Sequence, residues 1–556
     1  MAPRRLEGHG GHLALAVAHE FGVDTLFTLS GAHVFPLYDA AVKPTDTEPA
    51  TRIVDVRHEQ SAVFAAEATA KLTRTPGLAV LTAGPGVTNG VSAVATAHFN
   101  GSPLLVVGGR APGFRWGTGS LQELDHPPLL APVTKHAATV SDVADLAEEV
   151  AHALAVATRP HRGPVFLDVP MDQLYSRAEV DVPAPQRPPG REASPDDLQS
   201  VAKLLAGASR PVLVLGSDVW TDGAEDAARR AAEALGLPVV ANGQGRGVVP
   251  AGHDLLVTRA RSRAFGQADL VLVAGAPLDF RLGYGQFGGK GGAEPAKVVQ
   301  LADSPGQLAA HVDVVGSATG DLTAVLDGLV EAYAGAESRR APFADWCAEL
   351  RDTARATVAA DAELLAADAD PVHPARIYGE LLRRLDDDAV VIGDGGDFVS
   401  FAGRFVEPGR PGQWLDPGPY GCLGTGAGYA IAARLTHPSA QVVLLLGDGA
   451  AGFSLMDVDT LVRHGLPVVM VCGNNGAWGL EKHPMRFLYG YDVAADLAPG
   501  TRYDEVVRAL GGAGETVSRP GDIGPALDRA FASGVPYLVN VVTDPEVAYP
   551  RTTTGV

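Results

Sequence analysis

Apolar runs of four to seven residues recur through most of the chain, and alanine-rich amphipathic segments alternate with them. They include LAVLT (78–82), PLLVVGG (103–109), PVFLDVP (164–170), PVLVLG (211–216), LVLVAG (270–275), AVVIGDG (389–395), VVLLLGDG (442–449) and VVMVCGNN (468–475). Runs this short and this continuously apolar suit strands buried on both faces, which arise where crossover helices cover both sides of a parallel sheet. Strand–helix alternation therefore predicts a doubly wound parallel α/β architecture. At about 150 residues per domain, 556 residues exceed one such core. The proline-rich stretch DVPAPQRPPGREASPDD (181–197) sustains neither helix nor strand and reads as a first linker. A second break falls near YAGAESRRAPFADW (333–346), before a long helical pattern. Three α/β domains are expected at 1–182, 194–335 and 365–545, followed by a tail, 546–556, whose small polar end YPRTTTGV predicts mobility.

A net charge of −21 argues against a nucleic-acid groove and an anionic membrane surface. The three cysteines, Cys347, Cys422 and Cys472, are far apart and odd in number, so no disulfide framework is expected and a cytoplasmic location is. The N-terminus has basic residues but no sustained apolar core, unlike a signal peptide. No apolar run reaches the roughly eighteen residues that a membrane span needs.

Two strand ends carry the chemistry. Ligands of a parallel α/β sheet bind beyond the carboxyl ends of its strands. There Gly447 and Gly449 permit a tight turn and close backbone approach, and Asp448 offers a hard oxygen. Twenty-seven residues later the next apolar run ends at Asn475, a second hard oxygen donor. Strands joined by one crossover helix lie side by side, so both groups can meet one Mg²⁺, which completes its shell with phosphate and water. A helix expected to start near Ala450–Ser454 would aim its amides at the same diphosphate. Taken singly, each motif reads as an ordinary turn; the pair at this spacing favours a metal site.

GDG followed after this interval by NN resembles the metal and diphosphate motif of thiamine diphosphate enzymes of the acetolactate synthase, benzaldehyde lyase and 2-hydroxyacyl-CoA lyase group. The resemblance covers essentially the whole chain and implies pyrimidine-binding, central and diphosphate-binding domains in that order. It implies that Asp448, the Asn475 side chain and the Ala477 carbonyl ligate Mg²⁺, with Gly447, Gly449, Ala450, Trp478 and Gly479 around the cofactor. In GPYGCLGTGAGYA (418–430), Leu423 would bend the two cofactor rings together and the Gly421 carbonyl would face the 4′-amino group. In IGDGGDF (392–398), Gly395, Gly396 and Asp397 would lie near the diphosphate. Glu59, after the strand RIVDV, matches the glutamate that bonds the aminopyrimidine and promotes the tautomer that deprotonates the thiazolium. Family members join first and third domains across two subunits, which implies a homodimer as the minimal unit and a homotetramer as the expected assembly.

For the substrate, His33 lies beside Gly31 at a strand end, Gln122 matches an active-site glutamine, and Glu481, six residues after Asn475, suits proton transfer from a partly buried position. Arg259, Arg261, Arg263 and Arg404 are candidates for the phosphates of CoA in a central domain that resembles that of 2-hydroxyacyl-CoA lyases. The resulting expectation is a carbon–carbon lyase or carboligase acting on 2-hydroxyacyl-CoA. The alternatives are an acetolactate synthase, although Leu121 stands where synthases usually have phenylalanine, and a non-catalytic cofactor-binding paralogue.

Overall fold

The computed structural model describes residues 4–44, 49–185, 190–292, 294–335 and 343–550. Three parallel sheets organise them. The first has six strands in the spatial order Arg52–Asp55, Thr25–Thr28, Gly77–Leu81, Leu104–Arg110, Pro164–Pro170 and Ala137–Thr139. The third sheet runs Trp414–Leu415, Val390–Asp394, Val442–Gly447, Val469–Asn474, Tyr537–Val542, Ala513–Val517. Numbered along the chain, both follow the order 2-1-3-4-6-5. The central five-stranded sheet follows 2-1-3-4-5, from Val239–Ala241 through Pro211–Leu215, Leu270–Ala274 and Lys297–Ala302 to Val314–Thr319. The predicted fold class is therefore the one observed.

The apolar runs become central strands because helices cover both faces; every residue of Gly77–Leu81, Pro164–Pro170 and Leu270–Ala274 is buried. A polar, alternating pair, Arg4–His9 with Arg177–Val182, forms a separate antiparallel ribbon at the edge of the first domain. The connecting helix Ala344–Leu365 packs Trp346, Cys347, Leu350 and Ala354 into the central core, so packing extends that domain beyond residue 335.

First and third domains share one continuous core. Their contact is the crossing of the helices Glu59–Thr73 and Thr425–Thr436, made possible by Gly428: a Cβ there would lie 2.7 Å from Phe64 Cβ and 2.8 Å from the Ser61 carbonyl oxygen. Across this crossing the Tyr429 hydroxyl donates to the fully buried Glu67 at 2.9 Å, and Ser61 donates to Asp457 in the neighbouring turn Leu455–Asp457 at 2.5 Å. Among the described residues, no helix is long and apolar enough to cross a membrane.

Candidate active site

In a sheet of order 2-1-3, crossover connections leave the first and third strands in opposite directions, and a crevice opens where those strands end. In the third domain these strands are Val390–Asp394 and Val442–Gly447. A cavity of about 170 Å³ lies there. Gly447, Asp448, Gly449 and Ala450 line it from one strand end, Asn475, Ala477, Trp478 and Gly479 from the next, and Gly396, Asp397, Gly421 and Leu423 complete the wall. The two motif strands pair directly, Gly447 opposite Gly473, as their spacing predicts. Gly395 lies just behind, at φ +110°, with space for no side chain before Ala450.

The helix at this site begins two residues before the expected start: Asp448 is itself the first residue of Asp448–Ser454. Its carboxylate accepts the Gly449 and Gly476 amides at 3.0 and 2.7 Å, which ties the two turns together. Burial pushes this carboxyl up to about 6 despite those bonds. The Asn475 side-chain oxygen accepts the Ala477 amide at 3.1 Å. Each oxygen retains a second lone pair. A buried carboxylate, an amide oxygen and the neighbouring backbone carbonyl of Ala477 are a donor set that fits a hard dication. The preceding asparagine does a different job: Asn474 is buried and bonds the Thr501 carbonyl and Asn540.

Glu481 lines the cavity from the first turn of the helix Gly479–Tyr489. It is exposed, not partly buried as expected, because nothing of the first domain covers that side of the cavity in one chain. Its neighbour Lys482 pairs with Asp496 and Asp492, leaving Glu481 outside that ion pair.

The matching switch point of the first sheet lies between Thr25–Thr28 and Gly77–Leu81, and it gathers the remaining candidates. Glu59 opens its helix and is 7% exposed; Asn89 donates to its Oε2 at 3.0 Å, and its Oε1 lies 3.7 Å from where a Cβ on Gly86 would project. His33 bonds Thr82 through Nδ1 at 3.0 Å, and burial holds its imidazole below the usual histidine range. Gln122 sits at φ +62° against Gly84, where a Cβ would come 2.9 Å from its own. The buried His126 fixes this wall: its Nε2 accepts the Gly84 amide at 3.0 Å and its Nδ1 faces Asp168 at 2.8 Å, with Arg110 on the other Asp168 oxygen. None of these first-domain residues lines the third-domain cavity of the same chain.

The arginine group differs from its expectation. Arg259 and Arg404 both pair with buried Asp361, Arg263 pairs with Glu349, and Arg261 donates to the Arg281 carbonyl. The helix Ala344–Leu365 supplies both carboxylates, so three of the four arginines expected to receive CoA phosphates are paired with acids of the chain itself and Arg261 is held by a backbone carbonyl. The carboxyl ends of the central sheet carry three acids, Asp218, Asp222 and Asp303, facing His161 and Arg162 of the first domain. Residues 546–550 of the tail expected to be mobile are packed down: the Tyr549 amide donates to Asp397 at 2.9 Å and Val547 lines the cavity. The rest of that tail lies outside the described residues.

Sequence reasoning passed over Asn89, Thr82, His126 and Asp394. Asp394 stands inside the quoted IGDGGDF, yet it points to the other loop, accepting the Gly424 and Gly426 amides at 3.0 and 2.8 Å. Burial raises it to about 6 as well.

Comparison with known proteins agrees with this arrangement. Residues 8–129, 198–329 and 394–541 match the models for the N-terminal TPP binding, central and C-terminal TPP binding domains of thiamine pyrophosphate enzymes. The chain is 51% identical to a protein named acetolactate synthase large subunit from Mycobacterium tuberculosis, over 98% of this chain and 97% of that one. It is 35% identical to 2-hydroxyacyl-CoA lyase 2 of Homo sapiens, over 96% of this chain and 90% of that one, and equally so to the namesake from Caenorhabditis elegans, over 94% and 87%.

Proposed function

The chain belongs to the thiamine pyrophosphate enzymes, and from that premise we propose that it decarboxylates a 2-oxo acid and ligates the retained fragment to a second one, a reaction of the acetolactate synthase type. The observation that carries this reading is the likeness to an acetolactate synthase large subunit, 51% identical over nearly the full length of both chains. The pairing of Arg259, Arg404 and Arg263 with protein carboxylates supports it too, because an ion-paired guanidinium is less available to the phosphates of a CoA substrate.

Thiamine diphosphate supplies a thiazolium carbon nucleophile and an electron sink for breaking the bond beside a carbonyl. Asp448, Asn475 and the Ala477 carbonyl would hold its Mg²⁺. Glu59, with one oxygen occupied by Asn89, would offer the other to hold a proton toward the aminopyrimidine ring. His33, held neutral by burial and oriented by Thr82, donates a hydrogen bond to a substrate oxygen. Gln122 binds the second oxygen of the substrate, and Glu481 carries protons at the open side of the cavity. Since Glu59 and Glu481 do not face one cavity in a single chain, the active unit is a homodimer in which the first domain of one chain covers the third domain of the other. Exposed Phe453, Met456, Leu121 and Phe487, between 53% and 80% exposed, suit such a covered face.

The test is direct. Purified protein with Mg²⁺ and thiamine diphosphate receives pyruvate, and acetoin is assayed after acidification. A parallel reaction receives a 2-hydroxyacyl-CoA and is followed for formyl-CoA. Acetoin supports the synthase reading; formyl-CoA released by carbon–carbon cleavage, without pyruvate turnover, overturns it in favour of the lyase.

A further inference from the structure

Glu59 opens the helix Glu59–Thr73 after a short loop, 56–58, that leaves the strand Arg52–Asp55. Local bonds close the first turn: His58 Nδ1 accepts the Gln60 amide at 3.2 Å, and the His58 carbonyl accepts the Ser61 amide at 2.9 Å. Neither ties the turn to anything outside its own segment. The outside hold comes from the third domain of the same chain, in the turn Leu455–Asp457. Asp457, 1% exposed, accepts the Arg57 amide on Oδ1 at 2.7 Å and the Ser61 hydroxyl on Oδ2 at 2.5 Å. One carboxylate thus grips the residues two before and two after Glu59.

Thr460 donates to the same Oδ1 at 3.1 Å, so three neutral donors converge on this buried group. Burying a carboxylate is costly unless donors replace its water, and only an acceptor with no hydrogen of its own takes all three. The helix Val458–Arg463 holds the upstream end of the loop as well. Arg463 donates to both Asp55 carboxylate oxygens at 2.8 and 2.7 Å and to the Asp55 carbonyl at 3.0 Å. A clamp needed only to join two domains could sit anywhere along the helix crossing, as the bond of Tyr429 to Glu67 does. Asp457 instead brackets Glu59, a carboxylate that lies outside the cavity of its own chain.

We propose that Asp457 is the positioning residue for Glu59, and that it acts across the dimer: the third domain of each chain aims the carboxylate that its partner's cofactor uses. This role rests on the shared cofactor site proposed above. Asp457 touches neither cofactor nor substrate in it. The segment that carries it begins at the metal seat, since Asp448 opens the helix Asp448–Ser454 and the turn Leu455–Asp457 follows directly. One continuous stretch therefore holds a dication for its own site and a glutamate for the other. Misplacing a reacting group by about 1 Å can cost about a hundredfold in rate, which sets the scale for loosening this loop.

Asp457→Ala should leave Mg²⁺–thiamine diphosphate affinity within about threefold by calorimetry, since Asp448, Asn475 and Ala477 are untouched. The bound cofactor should exchange its C2 proton with D₂O at least about tenfold more slowly, a rate that needs no substrate. In the cofactor-free protein, amide exchange over 56–61 should rise at least about tenfold, with 447–450 unchanged. Mixed dimers locate the effect: an Asp457→Ala chain and an Asp448→Asn chain are co-expressed under two tags and purified through both. Cofactor then occupies only the Asp457→Ala chain, beside the partner's Glu59, and should exchange at the wild-type rate. A Glu59→Gln chain paired with an Asp448→Asn chain is the control and should behave alike. If the control pair is slow, the shared site itself is wrong and Asp457 has no role across it. If the control is fast and the Asp457 pair slow, or if Asp457→Ala alone exchanges like wild type, the positioning role is overturned and the shared site stands. Should Asp457→Ala fail to fold, Ser61→Ala strips one arm of the clamp, and an unchanged C2 rate there overturns the role equally.

Discussion

Gly447 and Gly449 flank the same aspartate, yet the structure assigns them opposite sensitivities, and substituting alanine at each tests the whole cofactor seat. A Cβ on Gly449 would lie 2.5, 2.7 and 2.8 Å from three ring atoms of Trp478. Those distances fall far below van der Waals contact, so the indole must move into the cavity it lines. Overpacking of this kind costs about 1–3 kcal/mol, offset by up to about 1 kcal/mol for replacing glycine within a helix. A net loss of roughly 1–2 kcal/mol shifts the melting of a domain of this size down by about 2–8 °C. Gly447, by contrast, has φ −79° and ψ 161°, open to any residue, and a Cβ there meets nothing within 4 Å. Gly447→Ala should leave the cofactor-free protein unchanged or stabilise it by about 0.4–1 kcal/mol through the unfolded chain. Its methyl group nevertheless enters the cavity where the diphosphate is to sit, so affinity for Mg²⁺–thiamine diphosphate should fall at least about tenfold, or about 1.4 kcal/mol. Scanning calorimetry without cofactor and titration calorimetry with it separate the two effects. If Gly447→Ala binds cofactor like wild type, the end of the strand Val442–Gly447 is not the diphosphate seat. If Gly449→Ala melts unchanged, the Trp478 contact has been misjudged.

Glu59→Gln should abolish pyruvate turnover while Mg²⁺–cofactor binding stays within a few-fold; retained turnover would remove Glu59 from the mechanism. Tyr429→Phe keeps its ring packed edge-on to Phe64 but strips one bond from the fully buried Glu67, with an expected cost of about 1.5–3 kcal/mol, read from the denaturant midpoint. Asp394 and Asp448 are both raised by burial to about 6 from 3.8, so the fold favours their protonated forms. The cofactor-free protein should therefore lose up to about 2–3 kcal/mol per group as pH rises from about 4 through about 6. Melting curves of wild type and Asp448→Asn across that window should diverge as pH rises; parallel curves would contradict the shift.

The central strands were legible because burial on both faces leaves a signature that needs no partner to be read. The strand Trp414–Leu415 escaped because two residues are too few to show a pattern, and the ribbon of Arg4–His9 with Arg177–Val182 because its polar, alternating residues are not separated from loop by composition. The partners of the arginines were hidden for a related reason. Sequence displays charges but not their counterions, and the carboxylate that engages Arg259 lies 102 residues away on a connecting helix.

The site divides along the same line. Asp448 and Asn475 could be assigned from spacing because one crossover forces their strands together, as the pairing of Gly447 with Gly473 shows. Within the asparagine pair, only alternation decides: Asn474 ends the strand facing the core, and Asn475 lines the cavity. Glu59, His33 and Gln122 had no such local constraint and rested on resemblance. What brings them together is the strand order 2-1-3-4-6-5, shared by first and third sheets, which opens a crevice at the same place in each. In one chain the two domains pack against each other chiefly through the helices Glu59–Thr73 and Thr425–Thr436, and the cavity of the third domain receives no side chain from the first. Under the proposed function, two halves of one chemistry, each on its own switch point and neither facing the other, call for a second copy of the chain to bring a carboxylate over the metal seat. That part of the proposal is the same whether a 2-oxo acid or a thioester is the substrate.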